Sequence, residues 1–478
     1  MPFQIEEFMV GGQSYRLPES KQSGPNRISV FVGPNGVGKT QLLAEMVYQF
    51  TDRKRYRDKQ LSSFVSIESE HEQHVYPKRV VAQTFSPFSR FPKERARAMG
   101  LKDYLIDGDE QYATIGFTRG MGLHGSVSRI AVGRIIRKLF TRPDHAAPLS
   151  QAMEALGFIP ALTLGFMSSN SLRNPDFSSP EKTRRAIDEY IAKIKDKSKR
   201  PTALSFDEKK LIREFDNEPE AELANRIEKS ILKLQGLQQE RRGPNRKEYV
   251  FDVELDTPRQ QADLLEAVLI LNRLGLMRIS SCLLRPKGAN GKWSANNDLF
   301  SGMIDIADAS SGQQQLLSSL FGVVAEAEDH SLILIDEPEL SLHPAWQTQF
   351  IDLLANALSG IGGCHVFIAT HSALVAQRAQ ELDLDIVSIG SEPLDLSPNE
   401  SNAVSVDQML LETFGLAVRD SAYVSKLLMA LVMDADESPA LKAEAKRKLS
   451  AIQNLYNKAA IEDRAMNKLL RSASKLIG

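Results

Sequence analysis

The chain has 478 residues, with 59 Lys and Arg against 61 Asp and Glu and a net charge of −2. At about 100–200 residues per domain, this leaves room for roughly two to four domains and a large core. Hydrophobic residues make up 42% and charged residues 25%, which excludes a wholly disordered chain, a collagen-like chain and a disulfide scaffold. The start carries acidic Glu6 and Glu7, with no basic region leading into an apolar one, so a signal peptide is not expected. Residues 26–32 read as a short strand, followed by a Gly-rich turn and a helical pattern over residues 40–50. Residues 79–85 read as a second buried strand. From about residue 99 the texture changes. Residues 128–260 are rich in Lys, Glu, Arg, Ala and Leu, with apolar positions at helical spacing such as Ile187, Ile191 and Ile194. The reading is a helical insertion, broken at Pro201 and at Gly243-Pro244. Residues 249–255 alternate as a strand, with Tyr249, Phe251, Val253 and Leu255 on one face. A helix is expected over 264–276, a strand over 278–284 and a turn over 287–293. Residues 331–335 and 364–369 are short apolar runs that suit central strands of a parallel sheet. Residues 403–478 return to a helical pattern. No apolar run approaches the about 18 residues of a membrane span. The only cysteines, Cys282 and Cys364, fit a reducing compartment, so a cytoplasmic location is expected.

The sharpest chemistry lies early. Gly33-Pro34-Asn35-Gly36-Val37-Gly38-Lys39-Thr40 satisfies G-x-x-x-x-G-K-[ST], with a strand before it and a helix after it. Glycines let backbone N–H groups turn inward around phosphate oxygens, and the following helix aims its positive end at the same anion. Lys39 is expected on the β- and γ-phosphates of ATP, the Thr40 hydroxyl on Mg²⁺, and Gln41 in the same first turn. Far downstream, residues 332–335 form an apolar strand that ends in Asp336 and Glu337. Asp336 is expected to hold Mg²⁺, and Glu337 to orient and deprotonate the attacking water. His371, after the next apolar strand, is a candidate γ-phosphate contact. Gln83, ending the strand over 79–85, is a candidate ligand of Mg²⁺ and the attacking water, with a satisfied strand-end amide as the alternative. Tyr15 is a candidate for stacking on adenine, with a packed surface tyrosine as the alternative.

Further residues carry a resemblance. Ala309-Ser310-Ser311-Gly312-Gln313-Gln314 resembles a divergent ABC signature, about 23 residues before Asp336. The run from Asp336 to Pro344 and Thr370-His371-Ser372 resemble the Walker B, D-loop and switch histidine of ABC-type P-loop ATPases in the SMC, RecF and OLD group. The resemblance implies an α/β ATPase head with an antiparallel β portion. It also implies a head-to-tail dimer, in which Ser310, Ser311, Gly312 and Gln313 of one subunit face the γ-phosphate held by the other. On this reading residues 1–98 form the first ATPase lobe and 99–248 the helical insertion. Residues 249–396 form the second lobe and 397–478 a helical C-terminal region.

A finer resemblance rests on Ser86-Pro87-Phe88-Ser89-Arg90-Phe91 and on Leu411-Glu412-Thr413-Phe414-Gly415. These stretches are similar to segments of the Septu-type anti-phage ATPases (PtuA), including retron-associated forms. That family implies an oligomeric ATPase working with an HNH-type nuclease subunit and, in retron versions, with a reverse transcriptase and its single-stranded DNA. Two other readings stay open: a RecF- or SMC-like DNA-maintenance ATPase, and a nucleotide-gated scaffold with little turnover. Asp434-Ala435-Asp436 has the spacing of a Toprim nuclease motif but sits in a helical stretch, so a helix end is expected and nuclease chemistry is assigned to a partner. Basic stretches occur at 181–200, with eight Lys and Arg against four acids, around Arg241, Arg242, Arg246 and Lys247, and at 440–478, with nine against three. They read either as solvated faces or as contacts to a DNA backbone.

Overall fold

A computed structural model describes residues 3–10, 13–18, 22–51, 67–68, 76–84, 86, 90–92, 111–116, 125–168, 180–195, 219–235, 240–242, 247–273, 276–287, 302–390, 396, 405–459 and 463–478. The chain opens with a hairpin, β1 (Glu7–Val10) and β2 (Gln13–Arg16), then β3 (Arg27–Val32) and α1 (Lys39–Thr51). After β4 (Ile67–Glu68) come β5 (Val80–Thr84), β6 (Tyr112–Gly116), α2 (Gly125–Thr141) and α3 (Ala146–Ala155). Next are β7 (Phe158–Ser168), α4 (Pro180–Lys195), α5 (Glu220–Gln235), β8 (Glu240–Arg242), β9 (Lys247–Glu254), α6 (Ala262–Arg273), β10 (Met277–Pro286) and β11 (Ile304–Asp305). Then follow α7 (Ser311–Glu326), β12 (Leu332–Asp336), α8 (Pro344–Ala357), β13 (His365–Ala369), α9 (Ala373–Glu381) and β14 (Asp385–Ser388). The chain closes with α10 (Val406–Glu412), α11 (Ala422–Glu437), α12 (Pro439–Lys458) and α13 (Arg464–Ile477).

Six strands form one parallel sheet in the order β14-β3-β13-β12-β5-β6. Its central strands are buried on both faces. Every residue of β3, β5, β12 and β13 is buried, which explains their continuous apolar runs. Parallel register puts all the C-terminal ends on one edge. Asp336 pairs with Ala369 and Thr84, and Ala369 with Phe31. The loops after β3, β12 and β13 therefore leave the sheet side by side, where open α/β sheets bind ligands.

Each face of the sheet packs a different layer. On one side Leu42, Leu43, Met46 and Val47 of α1 and Phe8 of the hairpin meet Phe31, Val80, Leu334 and Phe367. On the other, Val81, Ile333, Ile335 and Ile368 meet Leu316, Leu320, Phe321 and Val324 of α7, with α2, α3 and a second sheet behind. At the far end of the sheet, His365 is fully buried. Its Nδ1 accepts from Ile5 N at 3.0 Å and its Nε2 lies 2.9 Å from Ser29 Oγ. This arrangement requires the neutral Nε2–H tautomer, and burial, then Arg27, hold its pKa well below the ordinary value. The carboxylate of Glu326, at the end of α7, accepts from Arg79 and, at 2.7 Å, from Arg137. Burial raises the Glu326 pKa, but Arg134, Arg137 and Arg79 outweigh it and leave the group at about 2.

The stretch expected to be a helical insertion is not wholly helical. β6 joins the parallel sheet beside β5, and β7 is an interior strand of a five-stranded antiparallel sheet ordered β11-β10-β7-β9-β8. Leu162, Leu164 and Phe166 of β7 are fully buried. They alternate with Thr163 and Gly165, the period-2 pattern of a strand. The high Lys and Glu content of the surrounding window hid these 11 residues. α2, α3, α4 and α5 are the helical part among the described residues, and α4 carries the positions read at helical spacing. Ile187 and Ile191 are buried there as expected, and Arg184 Nη1 lies 3.0 Å from Glu228. Pro201, the Gly243-Pro244 pair, Arg246, the turn over 288–293 and the side chain of Ile194 lie outside the described residues. The C-terminal stretch is helical as expected, with a separate core of Leu427, Leu431, Leu449, Ile452, Leu470 and Ile477. Asp434 and Asp436 lie in the last turn of α11. A Toprim motif would need them on a strand.

Candidate active site

The phosphate loop follows β3 without a break. Gly33 sits at φ 149°, and a Cβ there would stand 2.5 Å from the Ile389 carbonyl oxygen. A side chain would push the loop off the chain that follows β14. Val37 packs against Gly390 on that same segment. Asn35 and Gly36 stand exposed at the loop tip, and Gly38 turns the chain into α1 at φ 100°. Lys39 Nζ donates to the carbonyl oxygens of Gly33 at 2.7 Å and Pro34 at 3.0 Å, so the ammonium lies back across its own loop. Burial lowers its pKa, while Glu337, Glu339 and Asp336 pull the other way.

Walker B meets this loop through one hydrogen bond. Thr40 Oγ1 donates to Asp336 Oδ1 at 2.8 Å. The other oxygen, Asp336 Oδ2, is buried and has no hydrogen-bond partner among the described residues. Burial raises the Asp336 pKa to about 7, opposed by the Thr40 hydrogen bond and assisted by Glu337 and Glu339. An anionic oxygen orphaned in a dry site beside two more carboxylates calls for a cation. A hydroxyl and a carboxylate oxygen are the hard donors Mg²⁺ takes. The residues present fit that ion.

Glu337 lies just past the strand with φ 51°, a left-handed conformation that costs a non-glycine residue about 1–2 kcal/mol. Its N–H donates to the Ala369 carbonyl at 2.9 Å and its carbonyl accepts from Leu340 N at 3.2 Å. These bonds hold the turn. His371 follows β13, with Nδ1 3.7 Å from Glu337 Oε1 and 2.9 Å from Glu339 Oε1. The same Glu339 oxygen accepts from the His371 backbone N–H at 2.7 Å. Glu339 is almost fully buried, at 5%. Glu339 is the residue sequence reasoning missed as a functional candidate, although it stands two places after Glu337. No local signal says which of three acids meets the histidine. Its contact raises the His371 pKa against desolvation. In Glu339→Gln the carboxylate charge is gone, so the His371 titration followed by NMR moves to lower pH. An unmoved titration would deny Glu339 that control.

The signature residues sit at the head of α7. Ser310 caps it: Gln313 N donates to Ser310 Oγ at 3.3 Å, and Ser310 N donates to Gln313 Oε1 at 3.1 Å. This reciprocal pair satisfies two N–H groups otherwise unpaired at a helix start. Ser310 and Ser311 remain exposed. Gly312 is buried, and a Cβ there would stand 2.7 Å from the Ser341 carbonyl oxygen, so only glycine lets α7 approach the D-loop this closely. Gln315 Nε2 donates to the Pro338 carbonyl at 3.2 Å. The signature helix is thus fastened to the turn that carries Glu337 and Glu339.

Two candidates land elsewhere. Gln83 is fully buried, and its Nε2 donates to Ser319 of α7. Its strand face is that of Val81, opposite the one α1 covers, so it is not brought to Thr40 and Asp336. Tyr15 stacks on Phe8, ring centroids 5.5 Å apart, which is the packed alternative. Gln41 Oε1 accepts from Arg90 Nη1 at 2.9 Å and its Nε2 donates to Glu45. Arg90 therefore lies at the first turn of α1. Within the segment 86–91, residues 87–89 lie outside the described residues.

A phosphate loop, a buried carboxylate on its threonine and a strand between the two is the arrangement of a P-loop ATPase. Residues 157–376 match the family model of the AAA ATPase domain. This match, a little under half of the chain, runs from β7 into the first turn of α9 and includes Asp336, Glu337 and His371. The phosphate loop lies outside it. No curated protein matches the chain significantly.

Proposed function

We propose that this ATPase is a nucleotide-operated switch, closing head to tail on ATP and reopening on hydrolysis. The observation that supports it most is the convergence of Lys39, Thr40, Asp336, Glu337 and His371 at the ends of three adjacent parallel strands. Residues 33–40 would cradle the phosphates with backbone N–H groups, and Lys39 would turn from its own carbonyls to the β- and γ-phosphates. Thr40 and Asp336 would hold Mg²⁺, which supplies charge neutralisation at the phosphate oxygens. Glu337 would take a proton from the attacking water. His371, steadied by Glu339, would register whether the γ-phosphate is there. The exposed Ser310 and Ser311 would donate to the γ-phosphate of a second copy. The Gln315–Pro338 bond would pass any movement at Glu337 to that surface.

In Ser310→Arg a single subunit still binds ATP, and the ATP-dependent dimer is lost. Light scattering with and without Mg-ATP reads this. Normal ATP-dependent dimers of the variant would sink the head-to-tail model.

The biological setting we propose is the regulatory ATPase of an anti-phage complex of the Septu type, acting with an HNH-type nuclease. What supports it is the similarity at 86–91 and 411–415. Purification from the native host with and without Mg-ATP tests it. A co-purifying nuclease, or a reverse transcriptase with its single-stranded DNA, supports the reading. Recovery of repair proteins alone replaces it with the RecF-like one.

A further inference from the structure

The last helix, α13, has a charge pattern that ATP chemistry does not use. Arg464, Lys468, Arg471 and Lys475 are spaced four, three and four residues apart and are all exposed. At about 100° per residue they fall within an arc of about 60°, and at about 1.5 Å rise per residue the stripe is about 16 Å long. α13 contains no Asp or Glu. Two acids precede it in the sequence: Glu462 lies outside the described residues, and Asp463 is used as the cap, its carboxylate accepting from Met466 N at 2.8 Å and from Asp420 N at 2.9 Å. The opposite side of the helix is committed. Met466, Leu470, Ala473 and Ile477 are buried in the C-terminal core against α11 and α12. The stripe is therefore held outward on a docked helix, and the backbone that carries the cations needs no further ordering to bind.

We infer that this face of α13 is a contact surface for a nucleic-acid phosphate backbone. Evenly spaced point charges on a straight element suit a repeating anion. A folded protein partner would call for aromatic or apolar anchors in pockets along the line, and the line has none. An anionic membrane would attract the same cations by only about 1 kcal/mol each, and insertion would need the apolar face of α13, which the bundle already occupies. Leu469 and Leu476, exposed at one margin, are too few to insert. Contacts of this kind carry no base specificity and position the chain on a strand. The inference stands apart from the ATPase reading, since none of the four residues touches the nucleotide site.

The test is fluorescence anisotropy of a labelled oligonucleotide, as a single strand and as a duplex, titrated with the full chain at several salt concentrations. The comparison is with the variant carrying R464Q, K468Q, R471Q and K475Q. Four lost phosphate contacts should make the log–log salt slope shallower by about 3.6 for a duplex and about 2.8 for a single strand. The same four contacts should account for a fall in affinity of roughly 10²-fold between about 50 and 200 mM salt, which the variant no longer shows. Should the fourfold variant melt early, R471Q alone should lower the slope by about 0.9 on duplex. An unchanged affinity and slope in a folded variant overturns the inference. So does failure of the natural chain to bind either oligonucleotide at low salt, or binding to phosphatidylserine vesicles in their place.

Discussion

Glu337→Gln lowers steady-state ATP turnover by about 10²–10⁴-fold, the usual worth of general-base assistance, and leaves ATP bound. The substitution keeps the shape of the side chain and removes the charge that accepts the proton. The role proposed for Glu337 draws on backbone geometry as well. Its φ of 51° and the pairing of its N–H with Ala369 aim the side chain past the end of β12, and glutamine can occupy the same turn. Phosphate release in single and multiple turnovers measures the effect, and sedimentation measures assembly. The expected result is an ATP-loaded dimer that persists instead of reopening, because the bridge between the halves is not cut. Turnover at the natural rate would remove Glu337 from the chemistry and leave the base to be sought elsewhere.

Lys39→Ala acts one step earlier, on binding. On the proposed reading the lysine would bring the loop's ammonium to the phosphates, and hydrogen bonds to charged groups are each worth about 1.5–3 kcal/mol, or roughly 10- to 10²-fold in affinity. Two such bonds lost together should carry ATP affinity below what calorimetry detects at ordinary concentrations. The ammonium also donates to Gly33 and Pro34 within the loop, so the variant could lose loop shape as well as charge. Thermal unfolding without nucleotide separates the two. An unchanged melting temperature with lost binding assigns the loss to the phosphate contact. Unchanged ATP affinity would refute the assignment of Lys39.

How much of this was legible before the structure depends on the distance between the residues involved. The phosphate loop is contiguous, so its turn and the N-terminus of α1 are encoded within a few residues. The strands over 26–32 and 331–335 announced themselves as apolar runs too short for helices. Their structural bounds agree to within a residue or two: Arg27–Val32 and Leu332–Asp336. Gln83 shows where that legibility ends. Its strand was recognised, but in a strand successive side chains take opposite faces, and a shift of one residue would have turned it toward α1. Packing of Val80 and Ala82 against α1 decided the parity and sent Gln83 to Ser319. β7 shows the converse failure. A window average reports composition, and 11 residues of alternating pattern vanished among charged helices.

Glu339 belongs to the same lesson. Three acids, Asp336, Glu337 and Glu339, stand within four positions, and each is a plausible partner for a metal, a water or a histidine. Which one meets His371 is decided by where β13 lies beside β12, and that is a matter of sheet order. The sequence by itself determined what is chemically local: the Gly-rich loop between its strand and its helix, and the apolar strand that ends in Asp336 and Glu337. Only the tertiary structure decided the strand order that brings residue 40 to residue 336, the partner of His371, the face taken by Gln83 and the outward setting of the α13 stripe. The physical reason is that local hydrogen bonds and turn sterics act over a few residues. Register, facing and burial are set by hydrophobic packing between segments hundreds of residues apart, and no short window contains both sides of such a contact.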